Sequence, residues 1–389
     1  MSNTTTVLAD LKRFLPENTL DSLVSVHKTD RYCKSFTTKN LLIALLTAQS
    51  KNWNSLREVE TGFLVNRNLL YHLGISSERV CRSTMAQANS RIKSCVFEGI
   101  FYSLVKSILP KIQNQTKRLD LERSVQIIDS TTIDLCLSVF PWAKFRETKG
   151  AIKIHTTFDL VSQIPMFVTI TNGKKSDVKA LNVRRNRFSD SIYLFDRGYQ
   201  DFDMFFSIHI CKGIFVTRLR RGINYQVARQ HNLTDRNVLL DAEIDLPLET
   251  TYKYPAPLRL VRYRDPETGK VYDFITNSFE FSSTLIAQLY KQRWTIELFF
   301  KWMKQNLQIK TFLGTSFNAV RNQIWVALIY FVLLQYIIQQ TNYKGGILKL
   351  TRMIRETLFM RMTLIDILQA ENISQIRRTD DDIGQLAIF

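Results

Sequence analysis

The chain has 389 residues, 45% of them apolar, and its 53 Lys and Arg against 35 Asp and Glu leave a formal net charge of +18. That apolar share excludes a disordered chain, and the length suits two or three domains. The charge favours a polyanionic partner, because each cation set on a phosphate releases condensed counterions, although a ribosomal or membrane-surface protein satisfies the same number.

The opening residues lack the basic start and apolar core of a secretory signal, and residues 1–75 read as a compact helical domain. Residues 40–49 carry Leu41, Leu42, Ala44, Leu45 and Leu46 behind a Thr37-Thr38 start signal, and Ser55 with Glu58 reads as a capping box for a second helix. Thr84 with Gln87 reads as another, opening a long helix to about residue 108, ahead of Pro110. Helices of this kind suit either a DNA groove or a packing module. The segment 76–120 is read as a helical connector. Cys33, Cys81, Cys95, Cys136 and Cys211 include no two at metal-ligand spacing, which excludes a zinc finger and points to reduced thiols in the cytoplasm.

After residue 120 the period changes from helix to strand. Residues 124–129 read as a short buried strand ending on Asp129, followed by hairpin-joined strands over 151–160 and 163–171 and a turn at Asn172-Gly173. A helix over 177–183, a strand over 191–196 ending on Asp196, a helix over 202–210 and a strand over 214–219 come next. Residues 222–278 read as short strands around Pro247, Pro255, Pro257 and Pro266, and a long helix over 282–308 carries Glu297. The apolar run 324–338, broken by Gln335, is shorter than the roughly 20 residues a membrane span needs, and reads as a buried core helix. Residues 341–389 form a helical C-terminal segment with a polar, charged tail from Asn372.

Two strands of a mostly parallel sheet that each end on an Asp open on one crevice. Asp129 and Asp196 would repel there unless a cation lies between them, and hard divalent ions with oxygen ligands meet that need. Each Asp alone is equally an ordinary turn residue. The helix shifts the balance. Tyr290, Arg293, Glu297, Lys301 and Lys304 follow spacings of 3, 4, 4 and 3, which at about 100° per residue place them on one face. Leu289, Ile296, Phe299, Phe300, Met303 and Leu307 make the adjoining apolar face. A carboxylate amid cations and a phenol suits metal and phosphate, whereas a salt-bridged surface face would use the same residues.

This pattern resembles the DDE transposases of bacterial insertion sequences. Tyr290-x2-Arg293-x3-Glu297-x6-Lys304 matches the signature of the insertion-sequence-four branch, also termed transposase class eleven. Asp196-Arg197-Gly198-Tyr199 and Asp129-Ser130-Thr131-Thr132 resemble that family's second-Asp and first-Asp motifs. Residues 13–63, with Arg13-Phe14-Leu15-Pro16 and Ser55-Leu56-Arg57-Glu58-Val59-Glu60-Thr61-Gly62, resemble a helical domain often fused to these enzymes. The likeness spans roughly residues 10–340.

The resemblance implies an α/β fold: a ribonuclease-H-like core over 121–340 with a β-rich insertion at 222–278, between helical ends. It implies catalytic and metal-holding roles for Asp129, Asp196 and Glu297, and two Mg²⁺ or Mn²⁺ ions. The partners implied are double-stranded DNA, as inverted terminal repeats and as target, and a second copy in a homodimeric synaptic complex. No membrane is implied; the setting is cytoplasmic, at the bacterial nucleoid. The implied reaction is cut-and-paste: one strand is hydrolysed, and its 3′-OH attacks the other strand to leave a hairpin. A metal-dependent nuclease of the same fold and a domesticated DNA-binding protein are the competing readings. Tyr290, Arg293, Lys301, Lys304, Arg218 and His155 are the expected DNA contacts. Asp134, Asp159 and Asp177 are further candidate ligands. Arg220 and Arg221 suit phosphate contact or surface charge, and Arg184, Arg185 and Arg187 a solvated face. Trp294 and Trp302 read as packing, and Tyr252 or Tyr254 as base-stacking candidates in the insertion.

Overall fold

A computed structural model describes residues 5–70, 73–75, 80–113, 123–181, 188–233, 235–306 and 312–368. Arg184, Arg185, Arg187, Leu307 and the tail from Asn372 lie outside the described residues. The chain divides into two compact units, one of Met1–Gln115 with Met303–Phe389, the other of Thr116–Trp302.

The first unit is helical. Its N-terminal part holds α1 (Val7–Arg13), α2 (Glu17–His27), α3 (Thr38–Lys51), α4 (Leu56–Val65), α5 (Arg67–Leu70), α6 (Arg82–Arg91) and α7 (Ser94–Gln113). Both start signals read near residues 37 and 55 operate. Thr37 and Asn40 close a reciprocal capping box on α3, and the Ser55 hydroxyl accepts from the Glu58 amide at the start of α4. The signal at Thr84 does not. It lies inside α6, and the expected long helix is two, because Ile92 turns to extended backbone. The buried Asn322 amide supplies the missing donor at that break, reaching the carbonyls of Asn89 (3.1 Å) and Ile92 (3.2 Å). Pro110 does not end α7 either. Its ring costs a helix about 3 kcal/mol, and burial of Ile100, Leu104, Ile108 and Ile112 along one stripe offsets that.

The run read as a core helix is the middle of a 25-residue helix (Phe317–Thr341), buried throughout residues 319–335 except Arg321. Among the described residues it is the one helix long and apolar enough to cross a membrane, and 72% of its apolar window is buried inside the protein.

The second unit is a nine-stranded sheet, ordered β3-β2-β1-β4-β5-β9-β8-β7-β6. Its strands are β1 (Val125–Leu135), β2 (Gly150–Asp159), β3 (Ile164–Asn172), β4 (Ile192–Phe195), β5 (Ile214–Arg218), β6 (Gln226–Gln230), β7 (Val238–Asp245), β8 (Leu258–Arg264) and β9 (Val271–Thr276). The helices are α8 (Asp177–Leu181), α9 (Phe202–Ile210), α10 (Leu248–Thr251), α11 (Ser283–Gln292) and α12 (Thr295–Asn306), and the helical C-terminal part of the chain follows with α13 (Phe317–Thr341) and α14 (Gly346–Thr357). The antiparallel hairpins β1-β2 and β2-β3 and the parallel pairs β1-β4 and β4-β5 give the order of a ribonuclease-H-like core. The β-rich insertion is real, and it extends the same sheet: β9 pairs antiparallel with β5, and β8, β7 and β6 follow as a meander. Leu258, Leu260 and Ile275 join Phe195, Phe205 and Phe215 in one apolar cluster.

Two differences from the sequence reading shape the site. β1 runs to Leu135, so Asp129 sits in mid-strand. The helix expected over 282–308 is α11 and α12, joined through Arg293 and Trp294 by i→i−3 hydrogen bonds. The Arg293 amide donates to Tyr290 (3.0 Å), Trp294 to Lys291 (3.2 Å) and Glu297 to Trp294 (3.0 Å).

Candidate active site

The parallel register brings the two aspartates together. β1 and β4 pair from Val125 with Ile192 to Ile128 with Phe195, and the next residues along the chain are Asp129, within β1, and Asp196, just past the end of β4. The expectation that paired strand ends deliver both carboxylates therefore survives the extra length of β1, whose remainder pairs only with β2. The Ser130 amide donates to Asp129 Oδ1 (2.7 Å) and turns that carboxylate. Asp196 caps the short turn Arg197–Tyr199, with the Gly198 amide 3.4 Å from Oδ2. Arg220 pins this turn from outside, donating to the carbonyls of Arg197 (2.8 Å) and Gly198 (2.5 Å).

Arg293 ties the helix to the sheet. One guanidinium nitrogen is 3.3 Å from Asp129 Oδ2, and the other donates to Glu297 Oε1 at 2.7 Å. Arg218 sits 3.3 Å from Asp196 Oδ1, with its guanidinium facing the rings of Tyr290 and Tyr272. The Tyr290 hydroxyl lies 3.5 Å from the same Asp196 oxygen. In a tightened turn residues i and i+3 eclipse, which stacks Arg293 over Tyr290 at 5.8 Å. The sequence-derived residues Asp129, Asp196, Arg218, Tyr290, Arg293 and Glu297 thus form one constellation. Lys301 and Lys304 are exposed further along α12.

The electrostatics follow from burial. Loss of water pushes the Asp129 carboxyl up to about 6, and the charges of Asp196 and Glu297 add to this, against the Ser130 amide and Arg293. Asp196 is also partly desolvated, but Arg293, the Gly198 and Arg197 amides and Arg218 outweigh that and hold it below the usual range.

Other sequence-derived candidates fall elsewhere. His155 is 5% exposed, so it is not placed to touch DNA: Nε2 is 3.0 Å from the Thr171 hydroxyl and Nδ1 3.3 Å from Asp177. Both faces of β2 are covered, which the alternation of Ile152 and Ile154 did not show. Asp134 is exposed on β1. Asp159 is buried and accepts from the Ser162 amide (2.7 Å) and hydroxyl (2.6 Å), closing the β2-β3 turn. Asp177 is held by Ser130 and Lys153. Trp302 is packed as expected, at 2% exposed, but Trp294 is 58% exposed, because the tightened turn departs from the uniform spacing that set it aside. Tyr254 is buried and Tyr252 is exposed on the surface. The aromatic groups beside the carboxylates are instead Tyr263, Tyr272, Phe274, Tyr290 and Trp294. With Arg218, Lys291 and Arg293 they line a cavity of about 590 Å³. Sequence reasoning missed this cavity and the anchor at Arg220. The one available signal for the cavity was an aromatic residue directly after Arg293.

The family model for the transposase DDE domain matches residues 120–333. The chain belongs to the DDE transposase family. Residues 3–76 also match a family described as a domain of unknown function. The transposase is 31% identical over 288 residues to the putative transposase y4zB of Sinorhizobium fredii, covering 73% of this chain and 79% of that one. It is 27% identical over 321 residues to the probable transposase for insertion sequence element IS5377 of Geobacillus stearothermophilus, covering 81% and 80%. A cryo-EM structure of a piggyBac transposase synaptic complex with hairpin DNA aligns with 96% of this chain and 81% of that one, at a TM-score of 0.42 and 12% identity, a distant likeness from which nothing about the reaction follows.

Membership makes this an enzyme that cleaves and transfers DNA strands, and such domains work with divalent metal ions. Among the described residues, no three carboxylate, imidazole or thiol groups stand close enough together to hold an ion as they are, because Arg293 lies between Asp129 and Glu297. The donors nonetheless fit in kind. They are hard oxygens, and Asp129 is raised chiefly by burial and further by the charges of Asp196 and Glu297, so a cation there would favour its ionised form.

Proposed function

We propose that the transposase acts on the inverted terminal repeats of an insertion sequence of the insertion-sequence-four branch, as a homodimer at paired ends, by cut-and-paste. Asp129, Asp196 and Glu297 would hold two Mg²⁺ or Mn²⁺ ions. When bound, such ions activate the attacking oxygen and stabilise the leaving oxygen of a phosphodiester. The observation that carries this reading is the β1-β4 register together with the tightened turn of α11-α12, by which Arg293 meets both Asp129 and Glu297 while Arg218 meets the neighbouring Asp196.

The protein's own groups do the rest. Arg218 and Arg293 neutralise phosphate oxygens beside the carboxylates. Tyr290 donates its hydroxyl into the same space. The aromatic, cationic cavity alongside receives the nucleotide unit next to the scissile phosphate, its walls offering ring faces to a base. Water attacks one strand, the P–O3′ bond breaks, and a 3′-OH and a 5′-phosphate are left. That 3′-OH attacks the opposite strand, releasing the flanking DNA and leaving a hairpin on the element. A second hydrolysis reopens the hairpin, and the 3′-OH joins target DNA. Exposed Lys301 and Lys304 extend the phosphate track along α12.

The test is a joining assay with the purified full chain, Mn²⁺, DNA ending in the inverted repeats that flank its gene, and a supercoiled target. Joined products are expected. Cut ends that never join would identify a nuclease, and intact DNA bound without cutting would identify a DNA-binding protein.

A further inference from the structure

Behind Asp129, on the opposite face of β1, lies a polar cluster that the reaction above does not use. Asp177, the first residue of α8, accepts from the Ser130 hydroxyl through Oδ1 (2.6 Å) and from the Lys153 ammonium through Oδ2 (2.8 Å). His155 Nδ1 is 3.3 Å from Oδ1, and its Nε2 is 3.0 Å from the Thr171 hydroxyl. The buried Tyr199 hydroxyl, on the turn that follows Asp196, faces the same Ser130-Asp177 pair. Two strands therefore meet at one carboxylate, β1 through Ser130 and β2 through Lys153 and His155, with the turn after Asp196 facing it.

Ser130 is the link to the chemistry. Its amide donates to Asp129 Oδ1 at 2.7 Å, while its side chain points to the other face and is fixed there by Asp177. A strand residue held by both its amide and its hydroxyl cannot roll, so the Asp129 carboxylate keeps one orientation. Asp177 reaches Asp129 only through Ser130, from the other face of β1.

We propose that Asp177 is a positioning residue for the active site, acting through Ser130 to orient Asp129. Lys153 balances the Asp177 charge and holds it in place, with the His155 ring packed beside it. The inference rests on the reading of Asp129 as a metal-holding carboxylate.

The experiment uses the full chain and the variants S130A, S130T, D177A and S130A/D177A. Mn²⁺ bound to the protein without DNA is measured by electron paramagnetic resonance, and cleavage of element-end DNA is followed as Mn²⁺ is varied. Loss of an outer partner of a metal ligand weakens metal binding about 10–100-fold. S130A and D177A are each expected to shift both Mn²⁺ curves by that factor. S130T, which keeps the hydroxyl, is expected to match the wild type. The double variant is expected to be no weaker than the worse single one, because both changes break one chain of contacts. A merely structural role would lower thermal stability and leave Mn²⁺ binding by the folded protein unchanged. A direct ligand role for Asp177 would make the two effects multiply. Either result overturns the proposal, as does S130T behaving like S130A. Should D177A fail to fold, the S130A and S130T pair carries the same decision. Wild-type protein that neither binds Mn²⁺ nor cleaves would sink the reading of the site itself; wild-type behaviour in every variant would sink this inference alone.

Discussion

Single residues at this site are asked to do two things at once. Arg293 spans Asp129 and Glu297, and Arg218 attends Asp196, so each guanidinium offsets carboxylate repulsion and, in the proposed function, also meets a phosphate. Trp294 shows the opposite economy. It is exposed, lines the cavity and supports no core. Substitution of an exposed side chain away from packing changes stability by no more than about 0.5 kcal/mol, whereas losing a ring that stacks on a base removes about 1–3 kcal/mol of binding. Trp294→Ala should therefore melt with the wild type yet bind element-end DNA about tenfold or more weakly in fluorescence anisotropy at fixed salt, and Trp294→Phe should recover most of the loss. Equal affinity for all three proteins would remove the cavity from substrate binding. Tyr290, Arg293 and Glu297 lie on one side, as the sequence spacing predicts, because spacings of three and four residues survive one tightened turn. Sequence alone misread Trp294 because a side chain beside that turn does not keep the uniform angle. It misread His155 because alternation along β2 reports one covered face and says nothing of a second.

At the level of elements, the insertion and the helix that carries Tyr290 share one buried ion pair. Arg259 on β8 meets Asp241 on β7 through two hydrogen bonds, of 2.8 and 2.6 Å, and donates to the Phe281 carbonyl at 2.7 Å. The Ser283 hydroxyl, at the first position of α11, donates to the same carboxylate. Burial alone would raise Asp241, but Arg259 and Ser283 outweigh it and hold the carboxyl below its ordinary range. A folded-state pKa below the unfolded value of about 3.9 stabilises the fold above that pH, and the contribution disappears as pH falls through and below it. Asp241→Asn strands a buried guanidinium and should destabilise the protein by about 3–5 kcal/mol. In urea unfolding, the gap between wild type and variant should be level from about pH 5 to 8 and close as pH drops below about 4. A gap that persists unchanged in acid would mean that the charge of Asp241 is not what matters. Strand order was open to sequence only in part. The β1 hairpins and β4 announce themselves by alternation and turn signals. The junction of β9 with β5 pairs residues about 60 apart, Val216 with Thr276 and Arg218 with Phe274, and no local signal marks it. Helix ends were legible where a side chain caps its own backbone, at Thr37 and Ser55. They were hidden where a distant side chain decides, as Asn322 does at Ile92.

For the whole molecule, the net charge of +18 and the sheet order serve one outcome. The charge draws the chain to DNA without regard to sequence. The sheet brings positions 129 and 196 together and α12 adds Glu297, three residues far apart in the chain that the proposed chemistry uses as one site. If those three work as a unit, their losses do not add: removing any one removes nearly all the chemistry, and the other two retain little. The measurement that tests this most directly is metal-dependent cutting and joining of element-end DNA by wild type, D129N, D196N and E297Q at saturating DNA. Each single variant is expected to bind DNA as the wild type does and to cut and join at least about a thousandfold more slowly, the loss of several kcal/mol of metal-assisted stabilisation. Cleavage within about tenfold of wild type by any one of them would contradict that expectation.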